Sequence, residues 1–475
     1  MPSIIPFLDK LSPEERDNVC SVIGKFAHNT KRRIQIDNFF QREFLSTLDK
    51  AKKLPREILE SVIDELESTG KTLDALKFTD KDFAISQANK IKNSDTELPL
   101  YGVPLAHKEL FQRFIKNGKA WPNEGGSKSR QNVKSHQTAK VISLLDEAGS
   151  IDCGRLVSVE YAFGVTGHND YAGTPKNPWN KNYVCGGSSS GSASIVAAGI
   201  IPVALGSDTG GSVRIPAAWN DLVGLKTTLG RVSMEGVIPL CRSFDTVGPI
   251  VKTVEDAALL FSVLTGNKPV DLKSKHFEGG RLAILKGTAL NDLQQKPALA
   301  FEESVKALSK FGFDIEEIEV AEVESALALS SLVPTEAYAE WRDVIEASPD
   351  LMYEKILQRF RGGRDVLASD YLKAMRDLEV FKTKYVNNTS EFDAVILPTC
   401  PILPPNLERL KSDNSYYVSQ NLMALRNTRI ANLLGICALT IPTNHRSCGV
   451  SIMVLPNMEE KLLRLGRAAE LAIRK

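Results

Sequence analysis

Cysteine is scarce and scattered in this sequence. Seven cysteines are spread along 475 residues, and none forms a Cys-x-x-Cys pair. Zinc sites and dithiol redox centres use closely spaced cysteines, while small secreted scaffolds use a dense, even set. The pattern therefore predicts reduced thiols in a cytoplasmic protein and indicates no metal site.

A dominant charge is also absent. The 59 lysines and arginines almost balance the 58 aspartates and glutamates, which leaves a net charge of +1. Such a chain has no strong field to attract nucleic acid or an anionic membrane. The balance favours a small molecule as the partner, and no nucleic acid.

Long apolar runs are missing as well. The longest, "SIVAAGIIPVALG", is too short to cross a bilayer as a helix, and it contains Pro202. The N-terminus lacks a basic segment followed by an apolar one, so we expect no signal peptide. These absences predict a soluble protein without a membrane contact.

The chain begins with a segment that we expect to be a helical extension, residues 1–70. Ser12, Pro13 and Glu15 form a capping box ahead of an apolar-periodic run. No residue in this segment suggests chemistry, so we expect it to pack on the main body or on a partner.

From about residue 70 to 265, strand-like and helix-like segments alternate. "LYGVPLAH" and "IIPVALG" are typical of strands, and "TAKVISLLDEAG" and "SASIVAAG" are typical of helices. Alternation of this kind predicts an α/β fold, namely a single large body with a mixed, mostly parallel central sheet covered by helices. Functional groups in such folds collect at strand ends and helix N-termini.

Two clusters of serine and glycine, "GGSSSGS" and "GSDTGGS", demand a chemical explanation. A phosphate loop needs a lysine after its last glycine, but Ser192 stands there. A nucleophile elbow would make Ser189 the nucleophile and would need His276 or His445 as its base. Both histidines lie in loop-like sequence, which weakens that alternative.

A third interpretation uses both clusters. The backbone N–H groups of Thr209, Gly210 and Gly211 can form a nest for the oxyanion that develops when a carbonyl is attacked. Ser212 is then the nucleophile, and it needs a base. Lys108 follows an apolar strand, where burial would lower its pKa enough for that role.

At these residues the sequence resembles the amidase signature family of serine hydrolases. The likeness rests on "GVPLAHKELF", "NPWNKNYVCGGSSSGSASIVAAG" and "ALGSDTGGSVRIPAAW". It implies a catalytic triad of Lys108, Ser188 and Ser212, with Ser188 in a cis peptide. It also implies an oxyanion hole at Thr209, Gly210 and Gly211, and no cofactor or metal. Residues expected to support the two loops are Ser189, Asp208 and Arg214.

The resemblance further implies one family domain over residues 71–475. Its signature core spans about 100–265, and a region from about 266 to 390 is expected to shape the pocket. The implied activity is hydrolysis of a linear amide through an acyl-enzyme, with a carbamate, urea derivative or ester as the alternative substrate.

A partner-dependent amidotransferase subunit is a further alternative. In such subunits the lysine motif is usually followed by Asp-Asn, whereas Glu109 and Leu110 follow it here. We therefore expect a free-standing hydrolase, with a homodimer left open.

Overall fold

Short apolar runs form most strands of the central sheet, as the sequence pattern predicts. The computed structural model describes residues 56–92, 98–115, 120–272 and 280–474. The strands described are β1 (Leu76–Thr79), β2 (Pro104–Lys108), β3 (Ile151–Leu156), β4 (Lys176–Asn177), β5 (Asn180–Val184), β6 (Val203–Asp208), β7 (Val223–Lys226), β8 (Thr246–Val251), β9 (Arg281–Leu285), β10 (Asp314–Ile318), β11 (Ala394–Pro398), β12 (Cys437–Pro442) and β13 (Gly449–Val454).

Helices cover these strands. The α-helices described are α1 (Arg56–Glu65), α2 (Lys81–Lys92), α3 (Lys140–Glu147), α4 (Ser190–Ala197), α5 (Arg214–Trp219), α6 (Val254–Thr265), α7 (Gln295–Phe311), α8 (Ala321–Ala328), α9 (Leu332–Ala347), α10 (Glu354–Arg361), α11 (Ala368–Thr389), α12 (Leu407–Ser412), α13 (Asn414–Leu433) and α14 (Glu459–Ile473). Local sequence sets several boundaries. In α6, the Thr253 hydroxyl accepts from the N–H of Asp256, and left-handed Gly266 ends the helix. None of the described helices is both long and apolar enough to cross a membrane.

Eleven strands form one sheet in the order β1, β3, β2, β6, β8, β7, β12, β13, β11, β9, β10, and β4 pairs with β5 separately. Parallel pairing joins β3, β2 and β6 in one run and β11, β9 and β10 in another. The other six pairings in this sheet are antiparallel. The predicted α/β body with a mixed, helix-covered sheet is confirmed. Its parallel pairings are fewer than the alternating segments predict, because an antiparallel centre separates the two parallel runs.

Both faces of the sheet are buried. Leu105 and Leu205 belong to one core cluster, while their neighbours Ala106 and Ala204 belong to another. Successive side chains of a strand point to opposite faces, so the two clusters lie on the two sides of the sheet. The candidate site lies at the ends of strands in this sheet, between its two buried faces.

The described part of the N-terminal extension is helical and packs onto this body. A π-helical turn, Leu66–Gly70, follows α1. Leu59 and Ile63 are buried in the same cluster as Ile195 of α4. The capping box at residues 12–15 lies outside the described residues, and the domain boundary at residue 70 stays a prediction.

Candidate active site

Two parallel strands end side by side at one edge of the sheet. His107 in β2 lies opposite Leu205 in β6, and β2 ends at Lys108 while β6 ends at Asp208. Neighbouring parallel strands finish at the same edge, so both strands deliver polar side chains to one place. The second serine-glycine cluster follows β6 at this edge, and Ser188 of the first cluster reaches the same edge through its contact with Lys108.

The serine-bearing loops are tied together through Ser189. The peptide bond between Gly187 and Ser188 is cis, as the resemblance implies. The Ser189 N–H donates to the Ser212 carbonyl over 3.3 Å, and the Ser189 hydroxyl donates to the Ser207 carbonyl over 3.4 Å. Ser189 therefore bridges the loop that carries Ser188 and the loop that carries Ser212.

Lys108 lies at the centre of the site and is fully buried. Its Nζ donates to Ser188 Oγ and to Ser207 Oγ, with 2.7 Å between the atoms of each pair. Burial lowers the pKa of Lys108 to about 7, against the opposing effect of Asp245 and Asp208. A large share of this amine is thus neutral near pH 7, which is the state that a general base needs.

Ser212 comes two residues before α5 and is 3% exposed. Within the described residues, no hydrogen bond joins its hydroxyl to Ser188, and the link between the two serines runs through the main chain of Ser189. Hydrogen bonds of a catalytic relay are often long in the free enzyme and tighten when substrate binds. The structure thus places Lys108 in contact with Ser188 and sets the loop of Ser212 beside the loop of Ser188.

The predicted oxyanion nest is only partly available. The Gly211 N–H donates to Asp208 Oδ1 over 2.8 Å, so this predicted donor is already engaged. In the part of the chain that the structure describes, the N–H groups of Thr209, Gly210 and Ser212 have no hydrogen-bond partner. These three donors, rather than Gly211, are free for a substrate oxygen.

Asp208 and Arg214 form the buried frame of the nucleophile loop. Arg214 binds the Asp208 carboxylate through two nitrogens, each 3.0 Å from an oxygen, and it donates to the Asn432 side chain over 2.6 Å. Asn432 Nδ2 donates in turn to Asp208 Oδ1 over 2.9 Å. Burial raises the pKa of Asp208, but Arg214 and Asn432 lower it more strongly, to about 2. The loop is therefore fastened to the end of α13, far away in the sequence.

Ser207 and Asp245 also belong to the site, although the sequence motifs predict a role for neither. Asp245 accepts from the N–H groups of Leu240 and Cys241 and from the Thr209 hydroxyl. Burial raises the pKa of Asp245 to about 6. One available signal was that Ser207 lies at the end of the apolar run that leads into "DTGGS". Asp245 lies in "FDTVGPI", outside the stretches that carry the resemblance, and no sequence motif points to it.

The nucleophile-elbow alternative finds no support in this geometry. His445 follows β12, which runs opposite to β6, so His445 lies at the far edge of the sheet from Ser189. Its Nε2 lies 2.7 Å from a carboxylate oxygen of Glu303. His276, the other histidine of that alternative, lies outside the described residues.

Metal-binding clusters are not found among the described residues, where no group of three His, Cys, Asp or Glu side chains could hold an ion. The cysteines in this part of the chain are buried free thiols: Cys153, Cys185, Cys241, Cys400, Cys437 and Cys448.

Comparison with known proteins points to one family. The family model described as Amidase matches residues 57–463. A glutamyl-tRNA(Gln) amidotransferase subunit from Methylacidiphilum infernorum (isolate V4) is 31% identical over 90% of this chain and 92% of its own length. A 2-amino-5-chloromuconic acid deaminase from Comamonas testosteroni is 30% identical over 79% of this chain and 82% of its own length.

Solved structures agree with the fold. A crystal structure of an amidase superposes with a TM-score of 0.81 and 26% identity, covering 91% of this chain and 99% of that one. An allophanate hydrolase from Kluyveromyces lactis superposes with a TM-score of 0.78 and 27% identity, covering 89% of this chain and 71% of that one.

Proposed function

This chain belongs to the amidase signature family, and from this premise we propose that it hydrolyses a small linear amide with Lys108, Ser188 and Ser212. The observation that carries the proposal is the buried 2.7 Å contact between Lys108 Nζ and Ser188 Oγ, beside a loop that presents Ser212. A lysine whose pKa lies near 7 is partly neutral at neutral pH and can accept a proton. A solvated lysine is already protonated at that pH and cannot.

Acylation needs two proton transfers. Neutral Lys108 accepts the proton of Ser188, Ser188 accepts the proton of Ser212, and Ser212 Oγ bonds to the carbonyl carbon. Ser207 accepts one N–H of the amine. Once Lys108 is neutral, its lone pair can then take the place of the N–H that faces Ser188, 2.7 Å away. This orientation is what the base requires.

The oxyanion that forms accepts hydrogen bonds from the N–H groups of Thr209, Gly210 and Ser212. The relay then returns a proton to the substrate nitrogen as the carbon–nitrogen bond breaks, and ammonia or an amine leaves. Ser212 remains as an ester. Water attacks this ester through the same relay, which releases a carboxylic acid and restores the Ser212 hydroxyl.

A carbamate, urea derivative or ester is the second candidate substrate, because the acyl-enzyme chemistry is nearly the same for each leaving group. The likeness to an allophanate hydrolase supports this alternative. Rates of ammonia, amine or alcohol release from a matched amide, carbamate and ester decide between them.

A role as an amidotransferase subunit is the third candidate, supported by the relatives that carry that name. We favour a free-standing cytoplasmic hydrolase of small molecules, because Glu109 and Leu110 stand where those subunits usually have Asp-Asn. Turnover by the purified chain alone would support this preference, and activity that appears only with added partner subunits would contradict it.

Covalent labelling with a fluorophosphonate, followed by peptide mapping, tests the nucleophile. We expect the label on Ser212, and we expect Ser212→Ala to lose turnover by roughly 10⁴-fold or more while it folds normally. Ser190→Ala is the matched control, since its hydroxyl donates to the Val157 carbonyl and not to the triad. A label on Ser189, or activity retained by Ser212→Ala, would overturn the assignment.

A further inference from the structure

Two arginines near the candidate site, Arg359 and Arg429, are half-buried. Among the residues that the structure describes, the Nε atom of each is fully buried and has no hydrogen-bond partner. Within the described residues neither arginine forms an ion pair. The Arg429 side chain donates one hydrogen bond there, to the Leu327 carbonyl, and the Arg359 side chain donates none. Buried guanidinium groups are normally paired, so this pair requires an explanation.

Arg429 lies against the nucleophile loop. Its Cγ is 4.0 Å from the point where a Cβ on Gly210 would stand. The preceding residue, Thr428, donates its hydroxyl to the Gly210 carbonyl over 2.7 Å. Gly210 carries one of the free N–H groups proposed to bind the oxyanion, so Arg429 borders the place where the substrate carbonyl would lie.

Arg359 lies on the side of the other loop. Its guanidinium is centred 4.7 Å from the ring of Phe163. Two residues further on, the Val165 carbonyl accepts from the N–H of Gly187, next to Ser188. Arg429, on α13, thus borders the nucleophile loop directly, and Arg359, on α10, packs on the segment that binds the loop of Ser188.

The two positive charges also act on each other. Burial lowers the pKa of both guanidinium groups, and the charge of Arg359 lowers that of Arg429 further. By contrast, the guanidinium of Arg214 in the same site donates hydrogen bonds to Asp208, to Asn432 and to a main-chain carbonyl. An anion placed between Arg359 and Arg429 would relieve this repulsion and fill the vacant donors.

We propose that Arg359 and Arg429 form a subsite for a carboxylate on the substrate, so that the preferred substrates are amides that also carry a carboxylate group. A planar carboxylate fits the fork of a guanidinium, and such charge-assisted hydrogen bonds are the strong ones. This inference rests on the proposed amide hydrolysis and adds the class of amide.

The test compares succinamate with 4-oxopentanamide, in which a neutral methyl ketone replaces the carboxylate. The wild-type chain is expected to release ammonia from succinamate with a kcat/KM about tenfold higher or more, the effect of one or two charged hydrogen bonds. Arg429→Gln is expected to bring this ratio within about threefold of one. Arg426→Gln on the same helix is the control, since Arg426 donates to the Asn291 carbonyl instead, and its ratio should equal that of the wild type.

The outcomes separate this inference from the proposed function. Equal turnover of both amides by the wild type supports hydrolysis and overturns the subsite, as does an unchanged ratio in Arg429→Gln. Where neither amide is turned over, succinamate binding to Ser212→Ala is measured by calorimetry. Binding that Arg429→Gln abolishes upholds the subsite and counts against the hydrolysis, whereas no binding overturns the subsite.

Discussion

The side chains of Lys108 and Ser207 meet across two neighbouring parallel strands, with 2.7 Å between Nζ and Oγ. Lys108 is the last residue of β2, and Ser207 is the last but one of β6. The contact gives the buried amine a second hydroxyl beside that of Ser188. Two fixed contacts orient an amine, whereas one would leave it free to rotate.

Removing the Ser207 hydroxyl should therefore weaken the base without removing it. We expect Ser207→Ala to lower kcat by about 10- to 100-fold with little change in KM, and Ser207→Thr to restore most of the rate. A hydroxyl that accepts from the ammonium favours the charged form, so its loss should also move the midpoint of the pH profile to lower pH. Ser192→Ala, which loses only a bond to the Leu205 carbonyl, should retain the wild-type midpoint. An equal effect of both variants on kcat and midpoint would show a purely structural role.

The activity should rise with pH through the pKa of Lys108. Burial lowers this pKa to about 7, and the neutral amine is the active form, so kcat/KM should increase below pH 7 and level off above it. The Lys108→Ala variant should lose this rising limb of the pH profile together with most of the rate. Lys226→Met is the control, because Lys226 is a buried lysine that donates to two main-chain carbonyls. A limb that persists in Lys108→Ala would assign it to another group.

Lys108 should also reduce stability near neutral pH. Its pKa is lower in the folded chain than in the unfolded chain, so the unfolded state binds more protons between about pH 7 and the ordinary lysine pKa near 10.5. Stability should therefore rise with pH across that window in the wild type. Lys108→Met should flatten this rise, which urea unfolding at pH 7 and pH 9.5 would measure. An equal slope in both proteins would contradict the lowered pKa.

Arg214→Met should destabilise the fold, because it leaves the Asp208 carboxylate buried and unpaired. The expected loss is about 3–5 kcal/mol in the free energy of unfolding at pH 7. The pKa of Asp208 is held at about 2, below that of an unfolded carboxyl, so its contribution is present above about pH 4 and is lost as pH falls towards 2. The difference in the free energy of unfolding between wild type and variant, measured by urea unfolding, should therefore be smaller at pH 3 than at pH 7. A gap of constant size would show that lost packing, and not the ion pair, causes the effect.

Gly210 and Gly211 offer a matched pair of substitutions. A Cβ on Gly211 would overlap Thr428 Oγ1, on a backbone with φ of +137°, while a Cβ on Gly210 would stand 3.2 Å from the end of Leu425. Gly211→Ala should thus lower Tm by several degrees, in keeping with a cost of about 1–3 kcal/mol for the backbone alone. Gly210→Ala should have the smaller effect on Tm, since a flexible side chain can move aside. A larger loss of Tm in Gly210→Ala than in Gly211→Ala would contradict this account.

Local pattern was enough to locate the main parts of the site. The apolar run of β2 predicts a strand that ends at Lys108, and the glycines around Ser188 and Ser212 predict loops that lead into helices. Each of these features depends on neighbours within a few residues, where side-chain alternation and glycine freedom act directly. The family resemblance rested on the same stretches.

Contacts between distant segments could not be read in this way. The engagement of the Gly211 amide by Asp208, the bond from Arg214 to Asn432 and the position of Arg429 beside Gly210 all depend on how α13 packs against the nucleophile loop. The sequence pattern carries no signal for that packing, since α13 lies about 200 residues further along the chain.

Local sequence pattern alone indicates most of the strands and loops and the residue types at their ends. The folded chain adds which backbone donors stay free, brings Ser207 and Asp245 into the site, and puts His445 at the opposite edge. This division arises because hydrophobic periodicity acts along a single segment, whereas strand order and side-chain pairing depend on the packing of segments that are close only after folding.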